Sequence, residues 1–169
     1  MNHAEIFKDL LKNEGVIRNL LQGTPKEQYL WKPEPSSWSL LEVICHLYDE
    51  EREDFRARLK HTLKTPDLPL PQISPKEWVD ERKYLEWNFD ETLLNFQNER
   101  LQSIAWLSEL VSPPWENVCL HPKIGPLSAE MFLVNWLGHD YLHIRQITRL
   151  KYAFLKTNSK INLDYAGEW

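Results

Sequence analysis

The sequence predicts an all-α protein, a four-helix bundle, and three observations carry that expectation. Only 5 of its 169 residues are glycine, too few for the turn-rich chain of a β fold. Four long stretches rich in Leu, Glu, Lys, Arg and Gln place apolar residues at helical spacing, and these residue types lose little rotamer freedom in a helix. The connections between the stretches are unequal in length, which points to a bundle other than two symmetric helical hairpins.

The first long helix is expected over roughly 3–22, with Ile6, Leu10, Ile17 and Leu21 on its inner face and a stop at Gly23. Thr24 followed by Pro25 reads as an N-cap with proline at the first helical position, so PKEQYLW forms a short turn of helix. KPEPSSW (32–38) is a linker. The second long helix spans about 38–63, its apolar arc running through Leu40, Val43, Ile44, Leu47 and Phe55.

Residues 65–75, TPDLPLPQISP, are too proline-rich for a regular helix and form an insertion between helices two and three. A helical piece, PKEWVDERKYLEW, follows Ser74. Asp90 is the expected cap of the third long helix, 91–111, with the stripe Leu93, Phe96, Ile104, Leu107 and Val111. The connection 112–127 holds a β-like run, ENVCLHP, and a Gly-Pro pair; Ser128 then caps the fourth helix, 129 to about 155. The tail 157–169 has no helical period, and its aromatics Tyr165 and Trp169 are expected to fold back or to reach a partner chain. The whole of 1–169 is read as one domain.

Net charge is −5, with acidic and basic residues interleaved as in DEEREDFRARLK (49–60). No basic patch suited to a phosphate backbone is present, so nucleic acid is not an expected partner. Cys45 and Cys119 form no CxxC pattern, which suits a reducing compartment. The chain has no run of 18 apolar residues and its first residues are charged, so a cytoplasmic protein without a membrane partner is expected.

His139 and His143 interrupt the inner stripe of helix four, which otherwise reads Phe132, Trp136, Ile147 and Leu150. Residues four apart project from one helix face and can ligate one ion. A buried imidazole without a partner costs about 1–3 kcal/mol, so each ring needs a hydrogen bond, a charge or a metal. His46, at the edge of the apolar arc of helix two, is the best-placed third ligand; His3, His61 and His121 lie near a terminus, a helix end or a loop. The alternative is a pair of satisfied core histidines. HExxH, GxSxG and a phosphate-cradling glycine loop are absent.

WSLLEVICHLYDEE (38–51) and GHDYLHIRQI (138–147), in this order and spacing, resemble the DinB-like/YfiT superfamily of metal-binding four-helix bundles over about residues 3–155. The resemblance implies an up-down-down-up topology with a long connection between helices two and three. It also implies a divalent metal on His46, His139 and His143, the residues chosen above on physical grounds. The family includes thiol transferases that use bacillithiol or glutathione, and members without a known activity. A homodimer is expected on the same ground.

Three neutral imidazoles leave an ion with an open position, as in catalytic sites, and suit zinc or nickel, with iron or manganese also compatible. An open position holds a water or a low-molecular-weight thiol, and the resemblance then implies thiol transfer to a small electrophile as the expected activity. The alternatives are metal-dependent hydrolysis of a small molecule and a non-catalytic metal-binding or stress-response role. Glu50, one turn after His46, and Asn135, one turn before His139, are candidates to orient the site or move protons. Asp49, Asp140 and Tyr141 are expected at the surface or bundle edge. Trp38 and Trp136 are expected in the core, and Cys45 away from the ligands.

Overall fold

The computed structural model describes residues 2–167. Helix α1, His3–Leu21, begins where Asn2 accepts a hydrogen bond from the Ala4 amide and ends before Gly23, whose φ of 71° closes the turn. The short α2, Lys26–Leu30, starts one residue later than expected: the Pro25 carbonyl accepts from Gln28 and Tyr29, and Thr24 makes no cap. Helix α3, Leu40–Asp49, opens on a reciprocal capping box, Glu42 Oε2 accepting from the Ser39 amide at 2.7 Å and Ser39 Oγ from the Glu42 amide at 3.3 Å.

The second long helix is not uniform. After α3 the chain widens into a π-helical turn over Glu50–Phe55, then continues as α4, Arg56–Lys64. Such turns are rare inside α-helices and concentrate at functional sites. Residues 65–77 hold no regular helix, as the prolines require. The expected helical piece after Ser74 is realised only in part, as α5, Trp78–Glu81, and a 3₁₀ turn, Tyr84–Glu86, separated by the left-handed Lys83.

Helix α6, Phe89–Ser108, starts two residues before the expected position because Asn88, not Asp90, caps it through the Glu91 amide at 3.0 Å. It stops before Val111, which is 90% exposed rather than part of the stripe. The left-handed Ser112 and the following Pro113–Pro114 turn the chain away there. A two-stranded antiparallel hairpin follows, β1 Val118–His121 paired with β2 Gly125–Ser128. Ser128 caps α7, Ala129–Ser159, through the Met131 amide at 3.1 Å. Tyr165 is fully exposed and does not fold back on the bundle; Trp169 lies outside the described residues.

Helix α1 packs on α6 and α7, and α3 packs mainly on α6. The apolar interior is divided in two: one cluster holds Ile17, Leu21, Leu47, Phe96 and Ile147, the other Ile6, Leu10, Leu59, Leu107 and Trp136. Between them every long helix carries buried polar residues at the same level: Asn13 on α1, His46 and Glu51 on the second, Arg100 and Ser103 on α6, Asp140 and His143 on α7. The bundle thus has a polar storey at mid-height, and that storey positions the site. No helix among the described residues is long and apolar enough to cross a membrane.

Candidate metal centre

His46, on α3, and His139 and His143, on α7, meet in the polar storey. His139 Nε2 lies 3.3 Å from His46 Nε2 and 3.0 Å from His143 Nε2, and all three ligand atoms are within 4.8 Å of one another. Nitrogens 3.0 and 3.3 Å apart subtend about 94° and about 107° at an ion with N–metal bonds of about 2.05 Å, close to octahedral and tetrahedral values. The third edge, His46 to His143, is the one that has to close around an ion. Among the described residues no other group of three His, Cys, Asp or Glu side chains converges in this way.

The donor chemistry fits. Burial pushes the imidazolium form of His46 down to about 3, with a further push from His143. Burial likewise takes His139 to about 2, helped by His143, His46 and the Arg100 charge. His143 is lowered by burial, against the hydrogen bond to Gln146 and the field of Asp140. All three rings are therefore neutral at pH 7, the state that a metal requires. The Gln146 amide oxygen sits 2.7 Å from His143 Nδ1; since that oxygen only accepts, Nδ1 carries the hydrogen and Nε2 turns its lone pair to the centre. His46 Nδ1 is buried with no hydrogen-bond partner among the described residues.

Aromatic rings wall the site. Trp38 lies against His46 with centroids 4.9 Å apart, and Phe55, from the π-helical turn, against His139 at 4.9 Å. Trp136, expected in the core, is there, stacked on Phe55 and donating from Nε1 to Glu51 at 2.9 Å. Trp38 is instead half-buried and lines a cleft of about 760 Å³ that reaches His46 and His143. His139 does not line it. The Cys45 thiol points instead at the Tyr84 carbonyl, 3.9 Å away, and burial pushes it up to about 12.

The sequence reading missed the charges that support this layer. Asp140, expected at an edge, is wholly buried: Arg100 donates to its two oxygens at 2.7 and 2.8 Å and to Glu51 Oε1 at 2.9 Å. Burial works against the Arg100 charge, but Glu51 and Asp140 outweigh it and hold the guanidinium firmly charged. Asp49 is also wholly buried, held by Tyr84 Oη at 2.7 Å, Arg52 at 2.7 Å and Arg82 at 2.6 Å. Of the three residues placed at the edge, only Tyr141 is exposed. A signal was available: Glu51 follows Leu47, Arg100 follows Phe96 and Asp140 follows Trp136 by one helical turn, so three complementary charges occupy stripe positions.

Asn135 is exposed, and its amide donates to the Met131 carbonyl at 2.8 Å instead of turning to the histidines. Glu50 is buried in the π-helical turn. Burial, then the charge and hydrogen bond of Asp54, push its carboxyl well above the usual range, against the pull of Arg58. A carboxyl that keeps its proton in the fold but loses it when unfolded makes stability fall as pH rises above its ordinary value. Glu50→Gln is therefore expected to stabilise the apo-protein by about 1 kcal/mol at pH 8 and much less at pH 4.5. Thermal melts at the two pH values check this, and equal gains would refute the protonated carboxyl.

The DinB superfamily profile matches residues 10–147. No curated protein matches the chain significantly. Among solved structures, YfiT from Bacillus subtilis, described as a probable metal-dependent hydrolase with an unusual four-helix bundle topology, superposes with a TM-score of 0.80. The two share 18% identity, over 90% of this chain and 87% of that one, so the likeness is one of fold. With the profile spanning most of its length, the chain belongs to the DinB superfamily.

Proposed function

We propose that this protein is a metal-dependent enzyme acting on a small molecule, with a divalent ion held by the Nε2 atoms of His46, His139 and His143. The observation that carries the proposal is the convergence of three neutral imidazoles beside an open cleft. Zinc or nickel suits the ligand set best, then iron or manganese. When bound, such an ion acidifies a water or thiol at its open position and polarises a substrate carbonyl or similar group.

The chain's own residues do the rest. Gln146 fixes the tautomer of His143, and Phe55, Trp136 and Trp38 hold the rings and keep bulk water from their backs. Glu50 carries its proton one turn beyond His46 on the same helix, and we assign it as the proton donor of the site. Gln146→Leu removes the acceptor at His143 Nδ1 and is expected to weaken metal binding about 10- to 100-fold. Competition against a chromogenic chelator reads that loss; an unchanged affinity would remove Gln146 from the account.

Hydrolysis is the reading we favour, supported by the description of YfiT. Thiol transfer from bacillithiol or glutathione is the second reading, favoured by a cleft of about 760 Å³, which has room for a thiol and an electrophile together. The up-down-down-up order belongs to the same proposal. Residues 65–88, between α4 and α6, are long enough to run the length of the bundle, as two successive parallel helices require.

Zinc-loaded and chelator-stripped protein should be compared against a panel of esters and amides, then with glutathione or bacillithiol plus a chlorinated aromatic. Metal-dependent turnover of the first set supports hydrolysis, and turnover only with thiol supports transfer. A folded, metal-loaded protein inert towards both would support the non-catalytic binding role.

A further inference from the structure

The cleft that reaches His46 and His143 is closed by two segments from outside the bundle, and each brings a lysine. Lys76 comes from the stretch 73–77 at the end of the proline-rich insertion, and Lys123 from the turn of the β1–β2 hairpin. Neither makes an ion pair or side-chain hydrogen bond among the described residues, although the chain as a whole carries a net charge of −5. The one acid on the wall is Glu77. The other polar groups there add donors. Gln146 spends its oxygen on His143, and among the described residues neither its amide N–H groups nor the Trp38 indole N–H has a hydrogen-bond partner.

A wall with two unpaired cations and spare N–H donors, opposite a single carboxylate, is complementary to an anion rich in acceptors. From this we infer that the substrate carries a carboxylate or phosphate in addition to its reacting group: the reacting end sits at the histidines while Lys76 and Lys123 take the anionic end. This rests on the metal reading and adds the charge class of the substrate. The proline-rich insertion, which the helix pattern leaves unexplained, is then the arm that carries one half of the clamp.

The test uses zinc-loaded full-length protein and a matched pair of probes, the monohydroxamate of glutaric acid and its neutral terminal amide. Both place a hydroxamate on the ion, and only the first has a distal carboxylate. By calorimetry the acid should bind about three- to tenfold more tightly at low ionic strength, and the advantage should shrink towards one in 0.5 M NaCl, about the concentration at which screening becomes short-ranged. In the doubly reversed K76E/K123E variant, checked for native circular dichroism, the acid should lose its advantage while the amide binds as before. Equal binding of acid and amide to the unaltered protein, or an advantage that survives charge reversal, overturns the clamp and leaves the metal centre standing. If neither probe binds the zinc-loaded protein, the metal centre itself fails and the clamp with it.

Discussion

Replacing Arg100 with alanine is expected to cost about 3–5 kcal/mol, a large share of the stability of a domain this size. The guanidinium is 1% exposed and donates to Asp140, Glu51 and the Leu10 carbonyl, joining α1, the π-helical turn, α6 and α7 in one layer. Its removal leaves two buried carboxylates without a counter-charge, Glu51 keeping only the Trp136 indole, and the desolvation of an uncompensated charge exceeds what the pair contributes when intact. Removing the three charges together is a different experiment. A triple E51L/R100M/D140L variant leaves no orphaned charge and should recover most of the loss. Urea titration of the single and triple variants separates the two cases, and a triple variant as unstable as Arg100→Ala would show that the layer stabilises the fold beyond its own charge balance.

The second large effect falls on His139. It is the central member of the triad, 3.3 and 3.0 Å from the other two Nε2 atoms, and does not line the cleft. His139→Ala should cut metal affinity more than about a hundredfold, since loss of a group that merely orients a ligand already costs about 10- to 100-fold. In the unaltered protein, metal at about one hundred times its dissociation constant should stabilise the fold by about 2.7 kcal/mol. In the variant that shift should vanish, while the metal-free fold stays intact or gains stability because one desolvated imidazole is gone. Metal-dependent turnover should be lost with it. A His139→Ala protein that still gains stability on addition of zinc would place the ion elsewhere.

These two residues show what could be read in advance. The triad was legible because imidazoles at positions 139 and 143 break an apolar stripe, and because His46 sits one helix away on the edge of another. The four long helices were legible for the same reason of spacing, and the caps Ser39 and Ser128 because a short polar side chain precedes a helical run. Arg100, Glu51 and Asp140 were harder, since a lone charge on a stripe looks like a solvated residue until its partners on other helices are known. Pairing across helices is a tertiary fact. The π-helical turn at Glu50–Phe55 has no pattern of its own in DEEREDF, and it is this turn that holds Glu50 buried and lays Phe55 against His139. The cleft walls came from the proline-rich insertion and the hairpin, segments whose course is set by where they dock, not by local propensity.

The central claim is that the three imidazoles exist to hold an ion. Elemental analysis of protein purified without a histidine tag tests it most directly, measured alongside His139→Ala protein prepared in the same way. The prediction is about one equivalent of a divalent transition metal per chain in the first and almost none in the second. Metal-free protein that also takes up no zinc, nickel, iron or manganese on reconstitution, or equal metal content in the two preparations, would contradict it.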